Sequence, residues 1–351
     1  MNLNEELRGV ELHIHLDGAV RADTLYNLAL RRNLVGPSRS HEEFRKSLIP
    51  TKPYKLANFL EPFKLILLTL AGDKEAIMQV AEECVEDCVL RSKLCYVELR
   101  FAPHLLTGPG LDSDAVTRAV LEAVKISSRR YGIQVRLLLC VLRQKPETAE
   151  EVLELAIKYR DHGVVGIDVS GDDATWRDYG LSPKIIGVFK EAHKRHIHRT
   201  VHAGENSPAE AVLEAVSCLH AERIGHGYSV IQQPEIYEWL RNTPVHFEVC
   251  PTSSVMTGGV NLKSTSLHPV VQFAKDNVKY SINTDGPLMT GRWLQEEYQY
   301  CLNELGLTAR DLEVTKLNAA KAAFLDEEED HIRLIEHIQS GMGSGRGFST
   351  F

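Results

Sequence analysis

The chain has 351 residues, of which 43% are hydrophobic and 25% charged, and its formal net charge is −8. This composition is that of a globular protein, and it excludes a disordered chain, a collagen-like chain and a disulfide-stapled miniprotein. The negative charge argues against nucleic acid as a partner. The seven cysteines form no CxxC pair, so we expect reduced core thiols. Because neither a signal peptide nor a membrane-spanning run is evident, we predict a soluble, cytoplasmic protein without membrane partners.

Eight short apolar runs recur along the chain, and most are too evenly apolar to be half-exposed strands. Such runs are typical of buried parallel strands. The segments between them can hold helices; residues 149–163 and 209–222, for example, have apolar residues at helical spacing. This alternation predicts an α/β fold, a (β/α)8 TIM-type barrel formed by a single domain of residues 1–337. The predicted strands are residues 10–16, 95–101, 135–141, 164–170, 199–204, 223–227, 245–250 and 278–283.

Two segments exceed what a minimal barrel needs. Residues 20–94, after the first strand, are far longer than one crossover helix and contain the run ANFLEPFKLILLTL. We predict a helical insertion there, lying as a lid over the mouth of the barrel. Residues 338–351 are rich in Gly and Ser, and they are predicted to form a flexible C-terminal tail.

Polar residues stand at the ends of several predicted strands, where a barrel of this kind places its active site. Alternation along the first strand puts His13 and His15 on its inner face, together with Asp17 if the strand continues that far. Two histidines buried there need polar partners, and a bound metal would satisfy both. The fifth, sixth and eighth strands also end in polar groups, namely His202, Glu205, His226 and Asp285.

Three imidazoles and one carboxylate from three strand ends make an N₃O set that suits zinc: His13, His15, His202 and Asp285. Glu205 and His226 then remain as acid/base candidates near the metal. Each motif alone could be a structural histidine, but their occurrence at four strand ends predicts a metal site. The fourth strand, VVGIDVSGDD, has no lysine of the kind that bridges two metals, which favours one ion per chain.

Seven blocks spread over roughly residues 8–337 resemble the adenosine deaminase family of the amidohydrolase barrels. The HLDG form is similar to members that act on the nucleoside, because adenine deaminases tend to carry Glu in place of Asp17 and deaminases of methylated AMP tend to carry Asn. The VHAGE form also resembles the nucleoside group. The blocks are VELHIHLDGA, YVELRFAPHLL, GIDVSGDD, HRTVHAGE, ERIGHGY, HFEVCPTSS and YSINTD.

The resemblance implies hydrolytic deamination of adenosine and 2′-deoxyadenosine to inosine, 2′-deoxyinosine and ammonia, within purine metabolism and salvage. One zinc ion would be held by the N₃O set above. Glu205 would protonate purine N1, and His226 would orient and stabilise the attacking hydroxide. Asp17 would bind the ribose 5′-hydroxyl, and the backbone N–H of Gly171 would meet purine N3. A hydrophobic helix would gate the pocket through Leu56, Phe59, Leu60 and Phe63, which without the resemblance are simply core residues.

One position departs from the family pattern. The family usually reads Asp-Asp-Pro after the last strand, where this chain reads Asp285-Gly286-Pro287. The second Asp hydrogen-bonds purine N7 in the family, and losing a charged hydrogen bond of about 1.5–3 kcal/mol corresponds to roughly ten- to a few hundred-fold in rate. Alternative interpretations are therefore the same chemistry on a modified 6-substituted purine nucleoside, and a weakly active nucleoside-binding protein. Other metal-dependent hydrolysis on this fold also remains open. The expected partner is a small-molecule purine nucleoside, and the sequence indicates no particular protein partner.

Overall fold

An eight-stranded parallel sheet, with its strands ordered β1 to β8, forms the centre of the computed structural model, which describes residues 6–36, 40–52, 54–262 and 267–342. Each of the eight predicted runs forms one strand, so the predicted barrel is confirmed. The strands are β1 (Gly9–His15), β2 (Leu94–Phe101), β3 (Gln134–Leu142), β4 (Val164–Ser170), β5 (His198–Ala203), β6 (Arg223–His226), β7 (His246–Val249) and β8 (Tyr280–Ile282).

The first and last strands meet just beyond the end of β8, where Ile14 and Asp285 form a parallel bridge. The backbone N–H of His15 donates to Asp285 O at 2.8 Å, and the N–H of Asp285 donates to His13 O at 3.0 Å. Asp285 has φ = 66°, a left-handed conformation that is uncommon for residues other than glycine. Closure of the barrel therefore places His13, His15 and Asp285 side by side.

Helices surround the sheet, and four of them (α1–α4) lie between β1 and β2, in the segment where the sequence predicted a helical insertion. The helices are α1 (Ala22–Arg31), α2 (His41–Leu48), α3 (Leu56–Leu70), α4 (Lys74–Leu90), α5 (Ser113–Tyr131), α6 (Ala149–Lys158), α7 (Trp176–Tyr179), α8 (Pro183–Lys194), α9 (Ala209–Cys218), α10 (Pro234–Arg241), α11 (Pro251–Met256), α12 (Pro269–Lys275), α13 (Pro287–Thr290), α14 (Leu294–Asn303), α15 (Ala309–Ala322) and α16 (Glu328–Gly341). Short 3₁₀ turns span Asp17–Ala19, Pro103–Leu105, Pro146–Thr148, Arg160–His162, Asp173–Thr175 and Tyr228–Gln232.

Helix α5 shows how local sequence sets the helix ends. Asp112 is the N-cap, and its carboxylate accepts a hydrogen bond from the N–H of Ala115 at 2.8 Å. Gly132 ends the helix in the left-handed region with φ = 66°. The face between these caps buries apolar side chains such as Val116 and Val120 against the rest of the core. A capped amphipathic helix of this kind covers the outside of the barrel without entering the site.

All seven cysteines lie within the described residues, where they are free, and six of them are buried. This agrees with the expectation of core thiols. Within the same residues, no helix combines the length and the apolar character needed to cross a bilayer.

The C-terminal helix runs further than the sequence indicated. Helix α16 ends at Gly341, whereas the flexible tail was predicted to begin at residue 338. The helix continues because Ile338 is buried beside Leu334 and because Arg8 donates to the carbonyl of His337 at 2.6 Å. Those first tail residues are therefore helical, and residues 343–351 of the predicted tail lie outside the described residues.

Candidate active site

Five imidazole and carboxylate groups converge at the carboxyl ends of β1, β5, β6 and β8. His15 Nε2 lies 3.2 Å from His202 Nε2 and 3.4 Å from Asp285 Oδ1. His13 Nε2 lies 3.5 Å from the same carboxylate oxygen. Potential ligand atoms of His13, His202, His226 and Asp285 all lie within 4.8 Å of one another. The structure thus brings together the whole predicted N₃O set, with His226 beside it.

The donor atoms fit a single zinc ion. Nε2 of His13 is buried and has no hydrogen-bond partner in the described part of the chain. The Nε2 atoms of His15 and His202 face each other, and a cation between them would satisfy both lone pairs. A tetrahedral site with zinc–nitrogen distances of about 2.0–2.1 Å has donor–donor edges of about 3.4 Å. The observed separations of 3.2, 3.4 and 3.5 Å are close to that edge length.

Carboxylates and a hydroxyl behind the cluster orient its members. His13 Nδ1 lies 2.8 Å from Glu248 Oε2, and His202 Nδ1 lies 3.0 Å from Asp168 Oδ2. The hydroxyl of Ser253 donates to Asp285 Oδ2 at 2.6 Å. Partners of this kind fix the imidazole tautomer and leave Nε2 available to coordinate a metal.

Buried guanidinium groups hold the two carboxylates in turn. Arg100 donates to Asp168 at 3.2 Å and to Glu248 at 2.7 Å, and Arg223 donates to Glu248 at 2.7 Å. Burial disfavours the charged form of Glu248, but Arg100 and Arg223 outweigh it and hold its pKa well below the usual range. These four residues were not predicted from the sequence. The signal available was a charged residue inside an otherwise apolar strand, which must find a partner.

Glu205 lies beside the cluster, with Oε2 3.7 Å from His226 Nε2. The side chain is buried, and the hydroxyl of Thr257 donates to Oε1 at 2.6 Å. Burial, and then the negative charges of Asp173 and Asp285, raise the pKa of Glu205 well above its usual range. This shift favours the protonated form of the carboxyl group, which can act as a general acid.

A cavity of about 430 Å³ opens onto these groups, within the size range of small-molecule sites. His15, His202, Glu205, His226 and Asp285 form its polar side. Helix α3 supplies an apolar side, which includes all four residues of the predicted gating helix: Leu56, Phe59, Leu60 and Phe63. His13 belongs to the cluster but does not line the cavity. The described lining residues include one cationic side chain of Lys or Arg type, Lys64.

Comparison with known proteins places the chain in a family. The adenosine deaminase family model matches residues 9–340. The chain belongs to the adenosine deaminase family. The adenosine deaminase of Bos taurus is 39% identical over 332 residues, covering 91% of this chain and 90% of that protein. The resemblance seen in the sequence is thereby confirmed, as is the prediction of an enzyme of this hydrolase family.

Solved structures show the same architecture. The Arabidopsis N6-mAMP deaminase is 26% identical, with a TM-score of 0.81 covering 96% of this chain and 98% of that one. The adenine deaminase of Arthrobacter aurescens superposes with a TM-score of 0.83 over 95% of this chain and 98% of that one. At 22% identity the latter similarity shows the fold alone.

Two further residues singled out by resemblance to the adenosine deaminase family also line the cavity. Asp17 Oδ1 is buried and lacks a hydrogen-bond partner among the residues that the structure describes. Burial raises the pKa of Asp17 to about 6. Gly171 has φ = 93°, a backbone conformation that favours glycine, and a Cβ there would require Oε1 of Gln144 to move. Asp17 therefore offers the cavity an acceptor that a ligand hydroxyl could satisfy.

Gly286 occupies the position at which the family usually has its second aspartate. Gly286 does not line the cavity directly. A Cβ at this position would lie 2.6 Å from Cε of Met289, a buried residue of α13, and 3.7 Å from Cζ of Phe59. The methyl group of Met289 thus takes up space that a side chain at position 286 would need, and it makes this corner of the site apolar.

Proposed function

We propose that the protein is a zinc-dependent deaminase that converts adenosine and 2′-deoxyadenosine to inosine or 2′-deoxyinosine and ammonia. The observation that carries this proposal is the position of Glu205, a buried acid whose Oε2 lies 3.7 Å from His226 at the polar end of a largely apolar cavity. Membership of the adenosine deaminase family supports purine deamination as the reaction.

The proposed ligands of the metal are His13, His15, His202 and Asp285, whose donor types and spacing suit zinc. When bound, the ion supplies a Lewis-acid charge that makes water nucleophilic near neutral pH. The chain's own residues orient the proposed ligands. Glu248 and Asp168 turn the Nε2 atoms of His13 and His202 toward the cluster before any ion arrives.

Glu205 acts as the acid in the proposed reaction. Its proton passes to purine N1, which makes C6 electron-poor enough for water to add there. His226 orients that water, and because burial lowers the pKa of His226, its imidazole stays neutral and can accept a hydrogen bond. The C–N bond at C6 then breaks with the electron pair leaving on nitrogen. One proton of the added water leaves with this nitrogen in ammonia, and the other returns to Glu205 as the C6 carbonyl forms. Adenosine and water thus give inosine and ammonia.

The charges of the cavity favour a nucleoside over a nucleotide. Asp17, Asp172, Glu205 and Asp285 all line it, and Lys64 is paired with Glu61 at 2.7 Å. Among the described lining residues, a phosphate dianion would meet carboxyl groups and no guanidinium or unpaired ammonium to bind it. Adenosine should therefore be turned over much faster than AMP. The free cysteines support placing this activity in a reducing compartment, and we assign it to purine salvage in the cytoplasm.

The experiment is an absorbance assay of zinc-loaded protein with adenosine, comparing the unmodified chain with Glu205→Gln. The variant should lose turnover by about 10²-fold or more yet still bind inosine, since the amide keeps the shape but cannot give up a proton. Glu210→Gln, at an exposed position of α9, is the matched control and should be fully active. Near-full activity of Glu205→Gln would contradict the acid assignment.

A second candidate is the same reaction on a 6-substituted purine nucleoside. The departure from the family pattern at Gly286 favours it, because position 286 directly follows the proposed ligand Asp285 and carries no carboxylate. Purine nucleosides that need no carboxylate partner at this position are therefore candidate substrates. Parallel assays with adenosine and N6-methyladenosine separate the two candidates: faster turnover of the methylated nucleoside supports the second.

A further inference from the structure

We infer that Asp173 is a positioning residue for Glu205, acting through the backbone of residues 204–207. The inference rests on the proposed function, in which Glu205 is the acid. Asp173 begins the 3₁₀ turn that follows β4, and it is almost completely buried. The residue is absent from the cavity lining, whereas its neighbours Asp172 and Thr175 are present there. Any effect on the reaction must therefore pass through another residue.

The carboxylate of Asp173 gathers the backbone N–H groups of the segment that carries Glu205. Its Oδ2 accepts from the N–H of Glu205 at 3.1 Å and from that of Ser207 at 3.0 Å. Its Oδ1 accepts from the N–H of Asn206 at 3.0 Å. Three consecutive N–H groups directed at one carboxylate fix the φ and ψ angles between them, as in other anion-binding backbone nests.

Ser207 completes the arrangement. Its hydroxyl donates to Asp173 Oδ2 at 2.7 Å and accepts from the N–H of Gly204 at 2.8 Å. Every backbone N–H from Gly204 to Ser207 is therefore held directly or through one hydroxyl by Asp173. Gly204 has φ = 74°, so the chain turns sharply between His202 on β5 and the segment that Asp173 holds.

The side chain of Glu205 is held from the opposite direction. The hydroxyl of Thr257 donates to Oε1 at 2.6 Å. Gly259 packs so closely that a Cβ there would lie 2.7 Å from Glu205 O and 3.1 Å from its Cγ. Because Thr257 and Gly259 confine the side chain of Glu205, the distance of its carboxyl group from the proposed zinc ligands depends on the backbone that Asp173 fixes. A shift of that backbone would displace the carboxyl group from the reacting nitrogen.

Within the described residues, the hydrogen bonds that Asp173 accepts come from Glu205, Asn206 and Ser207. These N–H groups stabilise the buried carboxylate. Because they all belong to one short segment, the carboxylate in turn fixes the backbone geometry of that segment. Its charge also adds to the effect of burial in keeping Glu205 protonated. We therefore expect Asp173 to matter more for turnover than for ligand binding.

The test compares zinc-loaded full-length protein with Asp173→Asn, which keeps the size of the side chain but turns an N–H group toward backbone donors. We expect kcat on adenosine to fall about 10²-fold, as for an ångström-scale misplacement. Zinc content and the Kd of inosine should change by less than about twofold, since the proposed zinc ligands and the apolar wall formed by α3 are untouched. The control is Asp112→Asn, which weakens the N-cap of α5 remote from the site and should leave kcat unchanged.

A double variant separates positioning from general destabilisation. If Asp173 acts through Glu205, then Glu205→Gln combined with Asp173→Asn should have the same residual rate as Glu205→Gln alone. Multiplying losses, or an inosine Kd that rises in parallel with the fall in kcat, would overturn the inference. If Asp173→Asn does not fold, Ser207→Ala removes only the relay hydroxyl. This variant should lower kcat about tenfold or more, because the hydrogen bonds to Asp173 and from Gly204 are both lost. A kcat equal to that of the unmodified chain would overturn the inference as well.

The proposed function and the positioning role of Asp173 can be contradicted by separate results. An unmodified chain without deaminase activity, or an active Glu205→Gln variant, would contradict the proposed function. An active chain whose Glu205→Gln variant is inactive but whose Asp173→Asn variant is fully active would contradict only the positioning role.

Discussion

His13 Nδ1 lies 2.8 Å from Glu248 Oε2, and both side chains are completely buried. The same oxygen accepts from Arg100 at 2.7 Å. The other oxygen, Oε1, accepts from Thr200 at 2.9 Å and from Arg223 at 2.7 Å. The carboxylate thus links the proposed metal ligand to a buried network of opposite charges. It makes Nδ1 the protonated nitrogen of His13 and directs Nε2 to the cluster.

Replacing Glu248 by Gln should weaken both metal binding and the fold. Zinc affinity is expected to fall about 10- to 100-fold, because His13 loses the partner that orients it. The free energy of unfolding should fall by about 3–5 kcal/mol, because two buried guanidinium groups each lose one counter-charge. Arg100 keeps Asp168 and Arg223 keeps Glu98. Zinc titration against a competing chelator and denaturant unfolding measure the two effects.

The control for this variant is Glu296→Gln, which removes an exposed ion pair with Arg91 whose charged atoms are 3.3 Å apart. Its zinc affinity should be unchanged and its stability within about 1 kcal/mol of the unmodified chain. Unchanged zinc affinity in Glu248→Gln, alongside a properly folded protein, would show that His13 is oriented without this carboxylate.

Introducing an aspartate at position 286 tests the departure from the family pattern. The new Cβ would lie 2.6 Å from Met289 Cε, the end of a flexible side chain, so the substitution should be accommodated by rotation of Met289. If Gly286 limits the reaction, kcat/KM for adenosine should rise about tenfold or more, the effect of one charge-assisted hydrogen bond. Steady-state assays with adenosine measure this.

Gly286→Ala is the matched control, since it introduces the same Cβ without a carboxyl group. It should not raise the activity on adenosine. An equal rise in both variants would attribute the effect to displacement of Met289, whereas no rise in either would mean that the unmodified cavity already compensates for the missing aspartate.

The barrel and the convergence of the site were predictable from local pattern. Strands buried on both faces are evenly apolar, so their eight runs stand out, and alternation puts His13 and His15 on one face. Strand ends in a parallel barrel meet at one rim, which brings residues as distant in sequence as His15 and Asp285 within 3.4 Å. None of these steps needs knowledge of how individual side chains pack.

The supporting partners could not be predicted in the same way. Glu248 binds His13 across 235 residues, and Asp173 binds the segment that follows Glu205 from a different strand end. Such pairs depend on barrel register and on side-chain rotamers, which a strand pattern does not specify. Met289 beside Gly286 is a further case, because its position follows from the path of a four-residue helix after β8.

Glu297 gives the stability of the fold a dependence on pH. It is completely buried on α14, and burial raises its pKa to about 8, compared with an ordinary value of 4.5. Between these values the folded protein holds a proton that the unfolded chain has lost. The contribution of Glu297 to stability is therefore present at low pH and is lost as pH rises through the folded pKa.

Glu297→Gln should remove this dependence, because the amide does not ionise and can still accept from the N–H of Thr252, as Glu297 does at 3.3 Å. The stability of the variant relative to the unmodified chain should rise by about 1.4 kcal/mol per pH unit between pH 5 and 8. Denaturant unfolding at three pH values measures it. The control is Glu296→Gln on the same helix, where the side chain is half-exposed; its stability should depend on pH as that of the unmodified chain does. If the stability difference between Glu297→Gln and the unmodified chain did not change with pH, Glu297 would be ionised in the folded protein throughout this range.

Phe59 is expected to contribute to substrate affinity more than to chemistry. It is the buried residue among the four from α3 that were predicted to gate the cavity, and it lies close to the apolar corner at Gly286. Phe59→Ala should raise KM for adenosine about tenfold or more, since it removes apolar surface worth about 1.5–3 kcal/mol when buried. The value of kcat should change little, because the side chain of Phe59 has no group that can transfer a proton. Leu68→Ala, on the same helix but 61% exposed, is the control and should leave both constants unchanged. A fall in kcat without a change in KM would instead mean that α3 acts by closing over the bound substrate and excluding water from Glu205.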